Sequence, residues 1–62
     1  MKIRLEQPER EAMNGEVNDN DFGAIRNLMF EYQRYTEGTD ITAVNAETGE
    51  RLARLRFEWL ED

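Results

Sequence analysis

The residues with the clearest chemical potential are carboxylates in the first third of the chain. Residues 18–21 read Asn-Asp-Asn-Asp, and oxygen ligands at such spacing are typical of the start of a calcium-binding loop. That loop also requires a glycine at its sixth position and a glutamate at its twelfth. Counted from Asp19, Gly23 falls one position short of the sixth, and the twelfth residue is Phe30. The run therefore predicts a helix cap rather than a metal site.

The chain lacks the side chains on which most enzymatic mechanisms depend. It contains no histidine, cysteine or serine, so the common general base and the usual nucleophiles are missing. A pair of carboxylates could act as general acid and general base only in a pocket that separates their pKa values. A core this small has little room for such a pocket. The 4 glycines are scattered singly, which excludes a phosphate-binding loop. We expect no enzymatic activity, no cofactor and no metal.

Acidic residues dominate the charge of the chain. The 14 acidic and 8 basic residues give a net charge of −6, which disfavours direct binding to nucleic acid or to an anionic membrane. A row of carboxylates can instead imitate nucleic-acid phosphates, a strategy that this chain shares in outline with small acidic phage-encoded inhibitors of restriction, repair or CRISPR enzymes. The alternative is a solvated segment that only keeps the protein soluble. The candidate anionic contacts are Glu9, Glu11, Glu16, Asp19 and Asp21.

An aromatic residue flanked by arginines is the second candidate for partner binding. Arg26, Phe30 and Arg34 are spaced by four, so they form a ridge on one side of a helix. Aromatic and arginine side chains dominate the energetics of protein interfaces, which makes this ridge a candidate anchor. The alternative is a second packing contact, or a lone exposed ring beneath arginine stems.

The elements that must position these residues begin with a strand. Alternating apolar and charged residues predict a strand over residues 1–6. Pro8 ends it and suits a first helical position, so we predict a short helical turn over 8–14 that stops at Asn14-Gly15. A hairpin with its tight turn at Asn14-Gly15 is the alternative.

A long amphipathic helix is predicted over residues 18–37. Asn18 is the predicted N-cap, with Val17 and Phe22 as a hydrophobic staple, and Gly38 is the predicted residue just past the end. Apolar residues at spacings of three and four form its packed face. These residues are Phe22, Ile25, Leu28, Met29, Tyr32 and Tyr35.

A hairpin follows, with strands over residues 40–46 and 50–60. Gly49 supplies the positive φ of a type I turn followed by a bulge. Pairing Ala43 with Ala53, and Ile41 with Leu55, keeps the apolar residues on one face, whereas a slip by one residue would turn them to solvent. In that register the helix-facing side carries Ile41, Ala43, Ala53, Leu55, Phe57 and Trp59.

The predicted fold is a single α+β domain with β-α-β-β order. A three-stranded antiparallel or mixed sheet carries one long helix on one face, and the third strand, richest in apolar residues, lies in the middle. The uncovered face then gathers basic residues that could bind nucleic acid, although the net charge opposes this. The basic sheet face consists of Lys2, Arg4, Arg54 and Arg56.

These patterns favour a small acidic protein-binding module over other classes of protein. The predicted function is inhibition or modulation of a larger protein, in particular a nucleic-acid-handling enzyme. A homo-oligomeric assembly protein, such as a homodimer, is the alternative, because the core is small and the sheet face is uncovered. Val44, Leu52 and Leu60 would supply its apolar contacts. No signal peptide or membrane span is visible, which favours a cytoplasmic location.

Overall fold

Four strands and one helix make up the computed structural model of this protein, which describes residues 1–57. The strands join in one antiparallel sheet in the order β2-β1-β3-β4. The α+β class is therefore confirmed, but the three-stranded sheet and the β-α-β-β order are wrong, because an additional strand precedes the helix. The elements are β1 (Lys2–Glu6), β2 (Met13–Glu16), α1 (Phe22–Thr36), β3 (Asp40–Asn45) and β4 (Arg51–Arg56).

The additional strand, β2, lies where the sequence predicted a helical turn over 8–14. It pairs with β1 so that Met13 lies opposite Leu5 and Gly15 opposite Ile3. The chain reverses before β2, where Glu9 adopts a left-handed φ of 60°. The tight turn at Asn14-Gly15 is also wrong, because both residues lie inside the strand.

Gly15 has a packing role in β2. A Cβ atom at this position would lie 3.3 Å from Cδ1 of Leu28 and 3.7 Å from Cγ1 of Ile3. The glycine thus lets the helix approach the sheet closely, a known reason for glycine within a strand. The Asn14-Gly15 pair, which the sequence analysis interpreted as the end of a helical turn, instead places a glycine where the helix approaches the sheet.

The helix begins later than predicted. Asp21 is its N-cap, and the Asp21 carboxylate accepts a hydrogen bond of 3.0 Å from the backbone N–H of Ala24. The predicted cap, Asn18, instead uses its carbonyl oxygen to accept from the Asp21 N–H in a turn before the helix. Asn20 has a φ of 63° within that turn. Asparagine tolerates this left-handed conformation. The Asn-Asp run therefore forms a turn, and its last residue, Asp21, caps the helix.

The packed face of α1 is narrower than predicted. Ile25, Met29 and Tyr32 are buried, whereas Phe22 and Tyr35 are 58% and 93% exposed. At about 100° per residue, Phe22 and Tyr35 lie on opposite margins of the face, roughly 60° and 80° from Ile25. They also lie in the first and last turns of the helix. Because Asp21 is the N-cap, Val17 and Phe22 do not occupy the two positions of a hydrophobic staple, and that prediction is wrong.

The C-terminal end of α1 differs from the prediction at one position. The left-handed residue is Glu37, with a φ of 54°, and its N–H donates to the Gln33 carbonyl at 2.7 Å. Gly38 is the next residue, and its lack of a side chain serves close packing, since a Cβ there would overlap the side-chain amide of Gln7. Gln7 is buried and donates to the Thr36 hydroxyl at 2.6 Å, which links the end of β1 to the end of the helix.

Replacing Glu37 with glycine is expected to stabilise the fold. A left-handed φ costs an L-residue on the order of 1 kcal/mol, and glycine adopts it without that cost. We expect Glu37→Gly to raise the free energy of unfolding by about 0.5–1 kcal/mol in urea titrations. Glu31→Gly is the matched control, because Glu31 is exposed in the helix interior and glycine there should cost about 1 kcal/mol. A loss of stability in Glu37→Gly would contradict the assignment of this cap.

The predicted register of the second hairpin is confirmed. Ala43 lies opposite Ala53, and Ile41 lies opposite Leu55. Gly49 has the predicted positive φ, 79°, and its N–H donates to the Asn45 carbonyl across the turn. The ladder shifts register beside Val44, as a bulge next to such a turn requires.

The predicted central position of the last strand is wrong. β1 and β3 form the centre of the sheet, and β4 lies at its edge. β1 takes the central position beside β3. It carries the fully buried Ile3 and Leu5, and it pairs with β2 on its other side. Within the described residues β4 ends at Arg56. The part of the predicted strand that contains Trp59 and Leu60 lies outside the described residues.

Candidate partner-binding surfaces

The helix carries a row of exposed aromatic and arginine side chains on its outer side. Phe22 and Phe30 are 58% and 43% exposed, and Arg26 and Arg34 are exposed between and beyond them. The four residues recur every fourth position, so they form a slanted line that rises about 18 Å along the helix and winds about 120° around it. We call this line the aromatic–arginine stripe (Phe22, Arg26, Phe30, Arg34). The predicted ridge is thus present, and Phe22, which the sequence placed in the core, extends it.

The Phe30 ring contacts a second aromatic ring on one side and is exposed to solvent on the other. Its ring meets that of Phe57 edge to face, with the centroids 6.0 Å apart and the planes at 74°. This geometry is a favourable one for aromatic pairs, so it fixes the orientation of the exposed Phe30 ring. A shallow depression of about 570 Å³ adjoins the pair. Its lining residues are Gln33, Arg34, Glu37, Thr39 and Phe57.

The candidate acidic residues are divided between the two ends of strand β2. Glu9 and Glu11 lie in the loop before it, whereas Asp19 and Asp21 lie in the loop after it. Four residues of strand separate the two groups, a distance of roughly 13 Å. Glu16 lies on β2 itself and is exposed. The five carboxylates therefore line one edge of the molecule instead of forming one cluster.

Two of these carboxylates have structural roles. Asp21 caps the helix, as described above, and Asp19 lies 3.4 Å from the N-terminal ammonium of Met1. That ammonium also donates to the Val17 carbonyl at 2.6 Å. The remaining three, which we call the acidic edge (Glu9, Glu11, Glu16), are exposed and form no ion pair within residues 1–57. They are the carboxylates of the predicted set that are available to a partner.

The loop that carries Glu9 and Glu11 is attached to the helix. The buried Tyr32 hydroxyl donates a hydrogen bond to the backbone carbonyl of Glu11. Position 11 is thus fixed through its backbone while its side chain remains exposed. A carboxylate presented from a fixed backbone loses less entropy on binding than one on a free loop.

The predicted basic sheet face carries both signs of charge. Strand alternation places Lys2, Arg4, Arg54 and Arg56 on the side away from the helix, with Arg4 opposite Val44 and Arg54 opposite Thr42. The same alternation places Glu6, Glu16 and Asp40 there. The face is therefore a mixed surface, and the sequence pattern had shown its basic residues without their acidic neighbours.

Two ion pairs on this face join basic to acidic residues. Arg54 donates to both oxygens of Asp40, from Nε at 2.9 Å and from Nη2 at 2.7 Å. Arg4 Nε lies 3.4 Å from a carboxylate oxygen of Glu6. The hydrogen bonds from Arg54, together with its charge and that of Arg56, hold the pKa of Asp40 below its ordinary value. Such pairing lowers the attraction of the face for phosphates.

The Asp40–Arg54 pair is expected to make stability depend on pH in the acid range. Because the pKa of Asp40 is lower in the folded chain, the pair stabilises the fold above the ordinary carboxyl pKa of 3.8, and this contribution disappears as the pH falls through the folded value. Urea titrations from pH 7 to pH 2 should therefore show wild type more stable than Asp40→Asn at neutral pH, with the two converging in acid. A constant difference across this range would contradict the expectation.

Two of the three residues predicted as apolar contacts of a homo-oligomer, Val44 and Leu52, are buried or half-buried within residues 1–57. Val44 is only 6% exposed, and Leu52 packs against the core cluster beneath the helix. Leu60 lies outside the described residues. The described part of the sheet face thus lacks the apolar patch that the assembly hypothesis required.

Among residues 1–57, no group of three or more His, Cys, Asp or Glu side chains is placed to hold a metal ion. The one helix of this range, α1, is too short and too polar to cross a membrane.

Comparison with known proteins gives no family for this chain. No family model, no curated protein and no solved structure matches it.

Proposed function

We propose that this chain is a non-enzymatic protein-binding module that inhibits or modulates a larger nucleic-acid-handling enzyme. The observation that carries the proposal is the aromatic–arginine stripe. Phe22 and Phe30 expose more than two fifths of their surface although the chain has few large apolar residues to spare for its core. Exposed aromatic residues aligned on one helix face are typical of a surface that another molecule covers.

The stripe has the composition and geometry of a helical recognition surface. A helix that lies in the groove of a partner uses anchors at spacings of three and four, as Phe22, Arg26, Phe30 and Arg34 do. Aromatic and arginine side chains are the types most enriched among residues that dominate binding energy. Because Phe30 already rests on Phe57, it loses little side-chain entropy when a partner binds.

The acidic edge supports a partner with a basic surface. Glu9, Glu11 and Glu16 are exposed along one side of a chain whose net charge is −6. Such a field attracts positively charged clefts and repels phosphates, so it favours the nucleic-acid groove of an enzyme over nucleic acid itself. In this proposal the acidic edge accelerates the encounter, and the stripe supplies the contacts that persist.

Capture of a partner, followed by an activity assay, tests this function. The immobilised protein should retain one stoichiometric partner from a bacterial lysate, and that partner should be an enzyme whose activity on nucleic acid falls when the free protein is added. Capture of an enzyme whose activity is unchanged would contradict inhibition. Recovery of only further copies of this chain, with a matching oligomer in light scattering, would favour the assembly role instead.

Charge reversal tests the contribution of the acidic edge to that complex. Changing Glu11 and Glu16 to lysine should slow association about tenfold at low salt and weaken its dependence on salt. The matched control changes two exposed glutamates of the turn between β3 and β4 to lysine, namely Glu47 and Glu50. It alters the net charge equally and should slow association much less. Equal effects of the two variants would show that only the total charge matters.

A further inference from the structure

Strand β2 forms one end of the sheet, and its outer edge has no neighbouring strand in the described part of the chain. Towards β1, the Val17 N–H donates to the Met1 carbonyl at 2.9 Å, and the Met1 ammonium donates to the Val17 carbonyl at 2.6 Å. Met1 and Val17 are thus a hydrogen-bonded pair. Because such pairs alternate with non-bonded ones along an antiparallel ladder, Gly15 also faces β1, and the N–H and C=O groups of Asn14 and Glu16 point outwards.

Contacts on the inner side of β2 fix the position of this edge. The Leu28 side chain of the helix approaches Gly15 closely, and the Tyr32 hydroxyl donates to the Glu11 carbonyl just before the strand. The bonds of Val17 to the N-terminal residue hold the other end. A strand fixed in this way loses little backbone entropy when another strand pairs with it.

The β2 edge offers carboxylates on one face and partly apolar surface on the other. Glu16 is exposed on the face away from the helix, and Glu11 is exposed just before the strand. Neither forms an ion pair with another described residue. On the helix side, a depression of about 570 Å³ adjoins the strand. Its lining residues are Met13, Glu31, Arg34 and Tyr35. An added strand would thus meet Glu16 on one face and could cover Met13 and the 93% exposed Tyr35 on the other.

We propose that the β2 edge binds an extended basic segment of the partner protein by strand addition. The segment would run antiparallel to β2 and alternate basic with apolar residues, with a basic residue opposite Glu16 and apolar residues towards Met13 and Tyr35. The ladder would supply main-chain hydrogen bonds, and the carboxylate of Glu16 would supply selectivity, as in other cases of strand addition. The proposal deepens the role of the acidic edge and rests on the function proposed above for the identity of the partner.

Charge favours this occupant over a second copy of the chain and over nucleic acid. A second copy paired through β2 would bring two acidic edges together, and charged side chains on an edge strand oppose such self-association. The same carboxylates repel phosphates. Lys2 and Arg4 also lie on the open sheet face, but they belong to β1. They would lie about 10 Å from an added strand, whereas Glu16 would lie about 5 Å from the residue opposite it.

Titration of the full chain with an eight-residue peptide that alternates lysine and valine tests the proposal. We expect slower hydrogen exchange at the Asn14 and Glu16 amides. In the predicted register the lysine N–H groups face β2 and the valine N–H groups face away. N-methylation of the lysines should therefore weaken binding about tenfold or more, whereas N-methylation of the valines should leave it nearly unchanged. Equal effects of the two methylated peptides, or equal binding of a glutamate–valine peptide, would overturn the proposal.

Two variants at position 14 isolate the contribution of the backbone. Asn14→Pro removes an outward N–H, which an edge strand tolerates, and Asn14→Ala is the matched control that keeps this N–H. We expect the proline variant to bind the peptide about tenfold more weakly than the alanine variant, with both remaining folded by circular dichroism. Indistinguishable affinities would overturn strand addition.

A charge variant tests the choice of a basic occupant. Glu16→Gln should weaken peptide binding about fivefold at low salt, whereas Glu47→Gln, in the turn between β3 and β4, should leave it nearly unchanged. Equal affinities of the two variants would overturn this choice, as would protection of the Asn14 and Glu16 amides by concentration alone or by an oligonucleotide. Because the peptide assay contains no enzyme, its failure would leave the capture result and the aromatic–arginine stripe unaffected, so the two proposals fail separately.

Discussion

Leu5→Ala is expected to lower the free energy of unfolding by about 3–4 kcal/mol. Leu5 is fully buried on a central strand, with Met13 opposite it on one side and Ala43 on the other. Alanine would leave a cavity that two paired neighbours prevent from collapsing. Because a chain of 62 residues has a total stability of roughly 3–9 kcal/mol, this loss should remove about a third or more of that stability.

Chemical denaturation with a matched variant measures this effect. Leu52→Ala removes the same atoms from a half-buried position near the edge of the sheet, and it should cost only about 1 kcal/mol. A loss for Leu5→Ala no greater than that for Leu52→Ala would contradict the central position of β1.

Gly38→Ala is the second substitution expected to have a large effect, with a loss of about 2 kcal/mol. The added methyl group would overlap the side-chain amide of Gln7. Gln7 is buried and bonded to the Thr36 hydroxyl, so it cannot move aside without leaving polar atoms unpaired. The strained segment is the one that joins the helix to β3.

A double-mutant cycle with Gln7→Ala tests this cause. If the overlap is the source of the loss, Gly38→Ala should cost much less in the Gln7→Ala background, with a coupling energy of about 1–2 kcal/mol. Additive losses in urea titrations would contradict the overlap with Gln7 as the cause.

The parts of the fold that sequence reasoning predicted correctly depend on local alternation. The β3–β4 register follows from placing Ile41, Ala43 and Leu55 on one face, and Gly49 supplies the turn that this register needs. The residues that set this register lie within about twenty consecutive positions, and a shift of one residue would turn the apolar side chains to solvent. The middle of α1 was predictable for the same reason.

The missed parts depend on contacts between distant segments. β2 has little apolar alternation, and its Gly15 is explained only by the approach of Leu28 from the helix. The edge position of β4 follows from the pairing of β1 with β3, which no local pattern contains. Phe22 and Tyr35 fit the helical period, but they lie in the terminal turns of the helix and are exposed.

The candidate surfaces follow the same rule: features set by local spacing were predicted, and features set by contacts between distant segments were missed. Helical spacing alone predicted the row of Arg26, Phe30 and Arg34, because a helix fixes its own surface. The acidic residues were close in sequence, yet β2 separates Glu11 from Asp19. The contact of Phe30 with Phe57 joins residues far apart in the chain, and no sequence signal indicated it.

Binding of the captured enzyme to two arginine double variants tests the central claim, that the aromatic–arginine stripe holds the partner. Arg26→Ala with Arg34→Ala removes two charges from the stripe, and Arg10→Ala with Arg51→Ala removes two from exposed positions elsewhere. Titration calorimetry should show the stripe variant binding about a hundredfold more weakly, with the control within about threefold of wild type. Equal affinities of the two variants would contradict the claim and place the interface on another surface.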